Sequence, residues 1–128
     1  MRCPVCAEPL IVLEIDQVEI DHCIACGGVW LDAGELELLL DGATNRDTVL
    51  DALTRQTGGT DKEIRCPICS KTLTKVLYNN RVLLDMCLRN HGLWFDRGEL
   101  REVMEMGDFP ANHRIYELIR ETFSDNTG

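Results

Sequence analysis

Aromatic side chains are scarce: two Trp, two Tyr and three Phe among 128 residues, which leaves no material for a large aromatic core. Long apolar runs are absent too. The longest, such as Leu10–Leu13, are strand-sized and far from the roughly 18 residues that a membrane helix needs. The opening Met1-Arg2-Cys3-Pro4 shows no apolar signal region, so a reducing cytoplasm is the expected location. There is no phosphate-binding loop, dinucleotide fingerprint, nucleophile elbow or His-Glu-x-x-His, and none of the three histidines has a Glu two positions later. These absences remove the common nucleotide, hydrolase and deaminase chemistries. At 45% hydrophobic and 27% charged, the composition is that of a globular chain.

Cysteine is what the chain has in excess. Seven thiols are an odd number, and in a reducing compartment a disulfide framework is not expected, so metal binding becomes the leading use. The cysteines fall in an internal repeat. Cys3-Pro4-Val5-Cys6 recurs as Cys66-Pro67-Ile68-Cys69, and Trp30-Leu31-Asp32-Ala33-Gly34-Glu35-Leu36 recurs as Trp94-Phe95-Asp96-Arg97-Gly98-Glu99-Leu100. Ile20-Asp21-His22-Cys23 matches Leu84-Asp85-Met86-Cys87 at the same 64-residue offset as the Trp segment.

Each copy predicts one module of about 40 residues: a Cys-x-x-Cys turn, a hairpin, a second ligand turn, the Trp, then a helix. Strands are expected near Leu10–Ile15 and Val18–His22, and again near Leu73–Tyr78 and Val82–Met86, with Asn79-Asn80 in the turn. Asp32-x-x-Glu35 and Asp96-x-x-Glu99 match the capping box, with the Asp as N-cap. Gly42 and Gly107 stand where C-terminal caps belong. Asn45 to about Gln56 predicts an amphipathic linker helix with Val49, Leu50 and Leu53 on one face, ended by a flexible joint at Gly58-Gly59. A last helix is expected over Pro110–Phe123, with Ile115, Leu118, Ile119 and Phe123 as its apolar stripe, and residues 124–128 should fray. The expected fold class is a small metal-stabilised α+β chain. It divides into 1–42 (ribbon and helix), 43–63 (helical linker), 64–107 (second ribbon and helix) and 108–128 (C-terminal helix and tail).

Cys3-x2-Cys6-x16-Cys23-x2-Cys26 has the spacing of a zinc ribbon: each tight turn aims two sulfurs at one point, and the hairpin brings the turns together. Two redox Cys-x-x-Cys pairs would need a βαβ setting that the sequence lacks. A rubredoxin-like iron site suits the turns of the first copy but not the second. There, Cys66, Cys69 and Cys87 are followed by Asn90 at the position of Cys26, and then by His91. Imidazole reaches further than a thiol, so His91 is the expected fourth ligand, for two Zn2+ per chain. The other reading leaves His91 free and the second metal open to water, a position with catalytic potential.

Each copy resembles the zinc ribbon of the transcription-factor-IIB type found in small, mostly prokaryotic proteins. The resemblance is carried by Cys-Pro-x-Cys, Ile/Leu-Asp-x-Cys, the Gly before the aromatic and Trp-Leu/Phe-Asp-x-Gly-Glu-Leu. It spans about 1–41 and 64–106, and it implies zinc binding and a transcription-related name, with no DNA activity or partner attached.

Trp30 and Trp94 are expected to cover their own zinc knuckles rather than bind a ligand. Asp32, Glu35, Asp96 and Glu99 could form a catalytic set, but capping accounts for their spacing. His22 and His113 read as surface residues. Charge is uneven: residues 1–64 carry 4 basic and 13 acidic side chains, residues 65–128 nine of each. Within 65–95, Arg65, Lys71, Lys75, Arg81 and Arg89 face only Asp85, so the second hairpin is basic and the first acidic. The expected function is a non-enzymatic adapter with a protein partner or self-association, the oppositely charged hairpins offering one means of docking. Alternatives are weak nucleic-acid binding by the basic hairpin and, with an open second site, a metal-dependent enzyme.

Overall fold

The computed structural model describes residues 1–52, 63–79, 81–111 and 113–122, with the backbone of a two-residue strand at Gln56–Thr57. In the first copy, β1 (Ile11–Ile15) and β2 (Val18–His22) form an antiparallel hairpin. Its two-residue turn, Asp16-Gln17, has φ of 49° and 75°, the left-handed pair that matches strand twist. In the second copy β5 (Thr74–Tyr78) and β6 (Val82–Met86) pair with Tyr78 opposite Val82, and Asn79 takes φ 53° in a three-residue loop. Both hairpins lie where the alternation predicts.

A third strand in each copy is not legible from the alternation. β3 (Val29–Asp32) and β7 (Gly92–Phe95) each pair with their own hairpin and, antiparallel, with each other, Trp30 opposite Trp94. The short β4 (Gln56–Thr57) pairs with β5. The two modules therefore share one seven-stranded sheet, ordered β1-β2-β3-β7-β6-β5-β4. The acidic and basic hairpins sit on opposite sides of the central pair and share no ladder. Their charges do not bring the modules together. Nor is Lys75 a solvated cation: it forms an ion pair with Asp85, its cross-strand neighbour, which is only 1% exposed.

That pair carries a prediction. Lys75→Met removes the cation paired across the hairpin with a buried carboxylate, and breaking such a pair costs about 3–5 kcal/mol. The urea midpoint of the zinc-loaded chain should fall accordingly, and Lys75→Met with Asp85→Leu should recover most of the loss. A single change with no effect on the midpoint would show that the pair is screened by water.

Both faces of β3 and β7 are covered. One face turns Trp30 and Trp94 toward the cysteines, in a cluster with Cys3, Cys23, Cys66, Cys87, Ile64 and Leu73. The other packs Val29, Leu31 and Phe95 against residues of the helices. α1 (Glu35–Leu39) and α3 (Glu99–Glu105) follow the third strands, α2 (Arg46–Ala52) lies in the linker, and α4 (Arg114–Thr122) is last. α2 buries Val49 and packs Leu50 against the core; the expectation of helix as far as Gln56 is corrected there, since Gln56 of β4 pairs with Leu77, and Leu53, Gly58 and Gly59 lie outside the described residues. α4 buries Ile119, with Ile115 and Leu118 against the core, and contacts both α3 and β1. It thus ties the end of the chain to the first module. Phe123 and residues 124–128 lie outside the described residues. Thr44 and Asn45 complete the connection through hydrogen bonds to Asp108 and to the Met106 carbonyl.

Three local expectations need correction. Asp32 and Asp96 are not N-caps: left-handed Gly34 and Gly98 stand at that place, with φ of 93° and 86°. Only half of the capping box forms, as Glu35 and Glu99 accept the Asp32 and Asp96 backbone N–H at 2.7 and 2.8 Å. The aspartates instead accept the indole N–H of Trp30 and Trp94. Gly42 and Gly107 follow their helices without positive φ. Close packing requires them: a β-carbon would lie 2.4 Å from the His113 ring at Gly42 and 2.5 Å from the Phe109 ring at Gly107. His113 is accordingly packed, its ring 4.6 Å from that of Phe109, and is not a freely solvated side chain.

Candidate metal centres

Four short knuckles, two per copy, present the ligand atoms. In every knuckle the first cysteine donates its N–H to the carbonyl five residues on: Cys3 to Glu8, Cys23 to Gly28, Cys66 to Lys71, Cys87 to Gly92. Three of them reverse the chain through a left-handed residue just after the second cysteine, Ala7, Gly27 and Ser70. Backbone N–H groups point at the first sulfur of these turns, from Val5 and Cys6 to Cys3, Cys26 to Cys23 and Ile68 to Cys66, at 3.4–3.5 Å. Such contacts favour thiolate and orient it for a cation.

The fourth knuckle solves the register problem of the missing cysteine. Its left-handed residue comes one position early, at Asn90 with φ 63°, and Asn90 N–H closes on Cys87 three residues back at 3.0 Å. Ala7, Gly27 and Ser70 close their turns four residues back. The tighter turn swings His91 inward, and Asn tolerates left-handed backbone better than most residues. Asn90 itself is exposed.

The eight expected ligands gather as two groups, Cys3, Cys6, Cys23 and Cys26, and Cys66, Cys69, Cys87 and His91, the donor atoms of each lying within 4.8 Å of one another. Zinc at about 2.3 Å from each sulfur sets tetrahedral sulfur–sulfur edges of about 3.8 Å. The observed edges are 3.6 Å for Cys3–Cys26, 3.3 Å for Cys6–Cys23 and 3.8 Å for Cys69–Cys87. His91 Nδ1 lies 3.5 Å from the Cys87 sulfur and 3.9 Å from that of Cys66. The donor sets therefore fit two zinc ions, one held by four sulfurs and the other by three sulfurs and an imidazole nitrogen.

Electrostatics agree with two cation sites. Burial pushes the Cys26 thiol up to about 12. At Cys23 burial also pushes upward, but hydrogen bonds from the Cys26 N–H and neighbouring thiols outweigh it and bring the thiol down to about 7. Cys69 falls to about 7, first through the Lys71 backbone N–H. Thiols crowded this closely ionise unevenly until a dication offsets their repulsion. Glu35 and Glu99 are both pushed up to about 7, by burial first and then by neighbouring carboxylates, with Asp32 and Asp96 foremost. With one oxygen each accepting a backbone N–H, these side chains shape the strand-to-helix turn.

Sequence reasoning missed the tryptophan geometry. Both are fully buried, and each covers the other copy's knuckle. A β-carbon on Gly28 would lie 2.1 Å from the Trp94 ring, and one on Gly92 2.7 Å from the Trp30 ring. The expectation that each covers its own knuckle leaves this out: both rings share one cluster with cysteines of both copies, and the antiparallel β3–β7 pairing also carries each ring across the junction. The glycine before each Val/Leu-Trp was the available signal, since only glycine admits the Trp94 ring so close at Gly28 and the Leu31 carbonyl together with the Trp30 ring at Gly92.

A family-model match agrees with this geometry. The family model described as transcription factor zinc-finger matches twice, at residues 2–42 and 65–106. No curated protein and no solved structure matches the chain. Two matched segments with two zinc-fitting donor sets place the chain in the transcription factor zinc-finger family, as a tandem zinc ribbon of the transcription-factor-IIB type.

Proposed function

We propose that the chain is a non-enzymatic adapter in a transcription-related, cytoplasmic setting. Two structural zinc ions, held by Cys3, Cys6, Cys23 and Cys26 and by Cys66, Cys69, Cys87 and His91, fix its contact surfaces. Residues 1–42 and 64–107 act as the paired units. Four protein ligands per metal leave no position for a substrate. His91→Ala is expected to lower affinity at the second site by more than the ~10–100-fold that loss of an outer-shell partner costs, while Asn90→Ala changes little. Competition with a chromophoric chelator reads both. The reverse ranking, or indifference to His91→Ala, would reopen the second site to water and to hydrolysis.

The observation that best supports a binding role is repeated at both metal ends. Ile24 and Leu88, at equivalent knuckle positions, are 72% and 73% exposed, and Val5 and Ile68 on the facing knuckles are exposed too. Each ribbon thus presents an apolar pair at its tip, held rigid by metal, the kind of surface that protein contacts use. A photo-crosslinker at Ile24 or Leu88 in the source cell should give discrete protein adducts, lost when the other tip residue is changed to Asp. Adducts no more discrete than those from a crosslinker at exposed Asp51 or Glu102 would end this reading.

Nucleic acid is the competing partner. The second hairpin retains exposed Lys71, Arg81 and Arg89, but Lys75 is engaged with Asp85 and the chain is acidic overall, with a net charge of -9. A few phosphate contacts give a weak, salt-sensitive affinity. Titration with a short duplex and a single strand near physiological salt should show no more than that. Submicromolar binding abolished by changing Lys71, Arg81 and Arg89 to Glu would favour nucleic acid. No described helix is long and apolar enough to cross a membrane.

A further inference from the structure

The copies diverge where each leaves its third strand. In the second, Arg97 follows Asp96, and its stem lies directly over Gly27: a β-carbon there would meet Arg97 Cδ and Cγ at 2.9 Å and Cβ at 3.2 Å. The methylenes of this arginine cover the flank of the first copy's knuckle, Cys23–Gly28. At the equivalent position the first copy has Ala33. Its N–H makes the inter-copy bond to the His91 carbonyl at 3.0 Å, but its side chain stops at a methyl.

The flank of the Cys87–Gly92 knuckle is therefore a groove of about 170 Å³. Its walls are apolar, from Leu36, Leu50, Met86 and Leu93, and its acidic groups are Asp32 and Glu37. Among the described residues lining it there is no cation. The adjoining metal centre adds to the negative field, since three thiolates and a neutral imidazole leave a zinc site at about -1. Apolar walls beneath carboxylates suit a long side chain with a cationic head, which buries its stem and keeps its charge at the edge.

We propose that this groove docks an arginine side chain presented by a protein partner, the contact that Arg97 already makes within the chain on the Cys23–Gly28 knuckle. The pseudo-twofold of the tandem repeat supplies the template. Both sites lie beside the second knuckle of a ribbon, next to an Asp that holds a Trp indole, at the start of a helix. One is filled by the chain's own arginine, and the described residues leave the other open. Glu37 favours arginine further: where it stands, the second copy has Arg101, which pairs with Glu105. The planar guanidinium, with its five donors, suits a lining that offers the carboxylates of Glu37 and Asp32, one of whose oxygens already accepts from Trp30. The inference rests on the protein-interaction reading and names the chemistry of its partner.

The test uses the full, zinc-loaded chain labelled with 15N. It is titrated with N-acetyl-arginine-N-methylamide, and separately with the norleucine analogue as an apolar control. The arginine derivative should shift amides of residues 33–37 and 90–93 with millimolar saturation and leave Gly27 and Gly28 unmoved. The norleucine analogue should do markedly less. Glu37→Lys changes an exposed residue and should weaken the response at least tenfold, and Ala33→Arg should abolish it by filling the groove from within. Shifts that are scattered, equal for both probes, or unchanged by Glu37→Lys would overturn the proposal. A silent groove with intact crosslinking at Ile24 and Leu88 sinks the arginine site alone, whereas loss of that crosslinking strikes the interaction reading itself.

Discussion

Stripping zinc from the folded chain is expected to unfold both ribbons in a single transition, although the two sites use different ligands. All seven cysteines belong to, or pack against, one shared cluster that also holds both tryptophans, so neither half owns its core. The elements around it cannot stand alone: α1 has five residues, and α2 and α3 seven each, well below the length at which isolated helices persist. Binding free energy at a structural zinc site, about 10–16 kcal/mol in zinc-finger peptides, is as large as the whole net stability of an ordinary domain. Elemental analysis should give two zinc ions per chain. During titration with a strong chelator, amide dispersion should collapse in the first and second copies together. Separate collapse of the halves, or a chain that keeps its dispersion without metal, would show that the helix-side cluster around Leu31, Phe95 and Leu100 suffices.

The ligands and hairpins were legible because each is fixed by local chemistry. Cys-x-x-Cys needs one tight turn, and alternation in Val18–His22 and Val82–Met86 marks half-buried strands. Val29–Asp32 and Gly92–Phe95 escaped because strands covered on both faces do not alternate, and four residues are too few to show a period. Asp32 and Asp96 misled for a related reason. Asp-x-x-Glu before an apolar run is a sound helix-start signal, but the intervening Gly34 and Gly98 adopt left-handed backbone and turn the aspartates back toward the indoles. The Lys75–Asp85 pair could have been found: once Tyr78 faces Val82, counting back along the hairpin sets 75 opposite 85. The joining of the modules could not, because a repeat says that two units are alike and nothing about which edges meet.

That joining leads to the second large effect, a crossed one. Trp94→Ala should weaken metal retention mainly at the first site, Cys3, Cys6, Cys23 and Cys26, and Trp30→Ala mainly at the second. Each ring lies on the glycine whose carbonyl binds the N–H of a ligand cysteine in the opposite copy, Gly28 with Cys23 and Gly92 with Cys87. Removing a ring opens a cavity over that knuckle, costs about 3–5 kcal/mol and admits water to the hydrogen bonds that hold the sulfur in place. It also takes the indole donor from an aspartate oxygen, at Asp96 or Asp32, and so loosens the turn into the helix. Cobalt(II) substitution resolves the sites, because a four-sulfur donor set absorbs differently from three sulfurs and a nitrogen. In Trp94→Ala the bands of the four-sulfur site should fade first under chelation, and in Trp30→Ala those of the His91 site should. If each variant instead loses the metal of its own copy, cover is not exchanged in solution. If both lose the two metals equally, the rings serve only the common core, and the knuckle glycines need another reason for being bare.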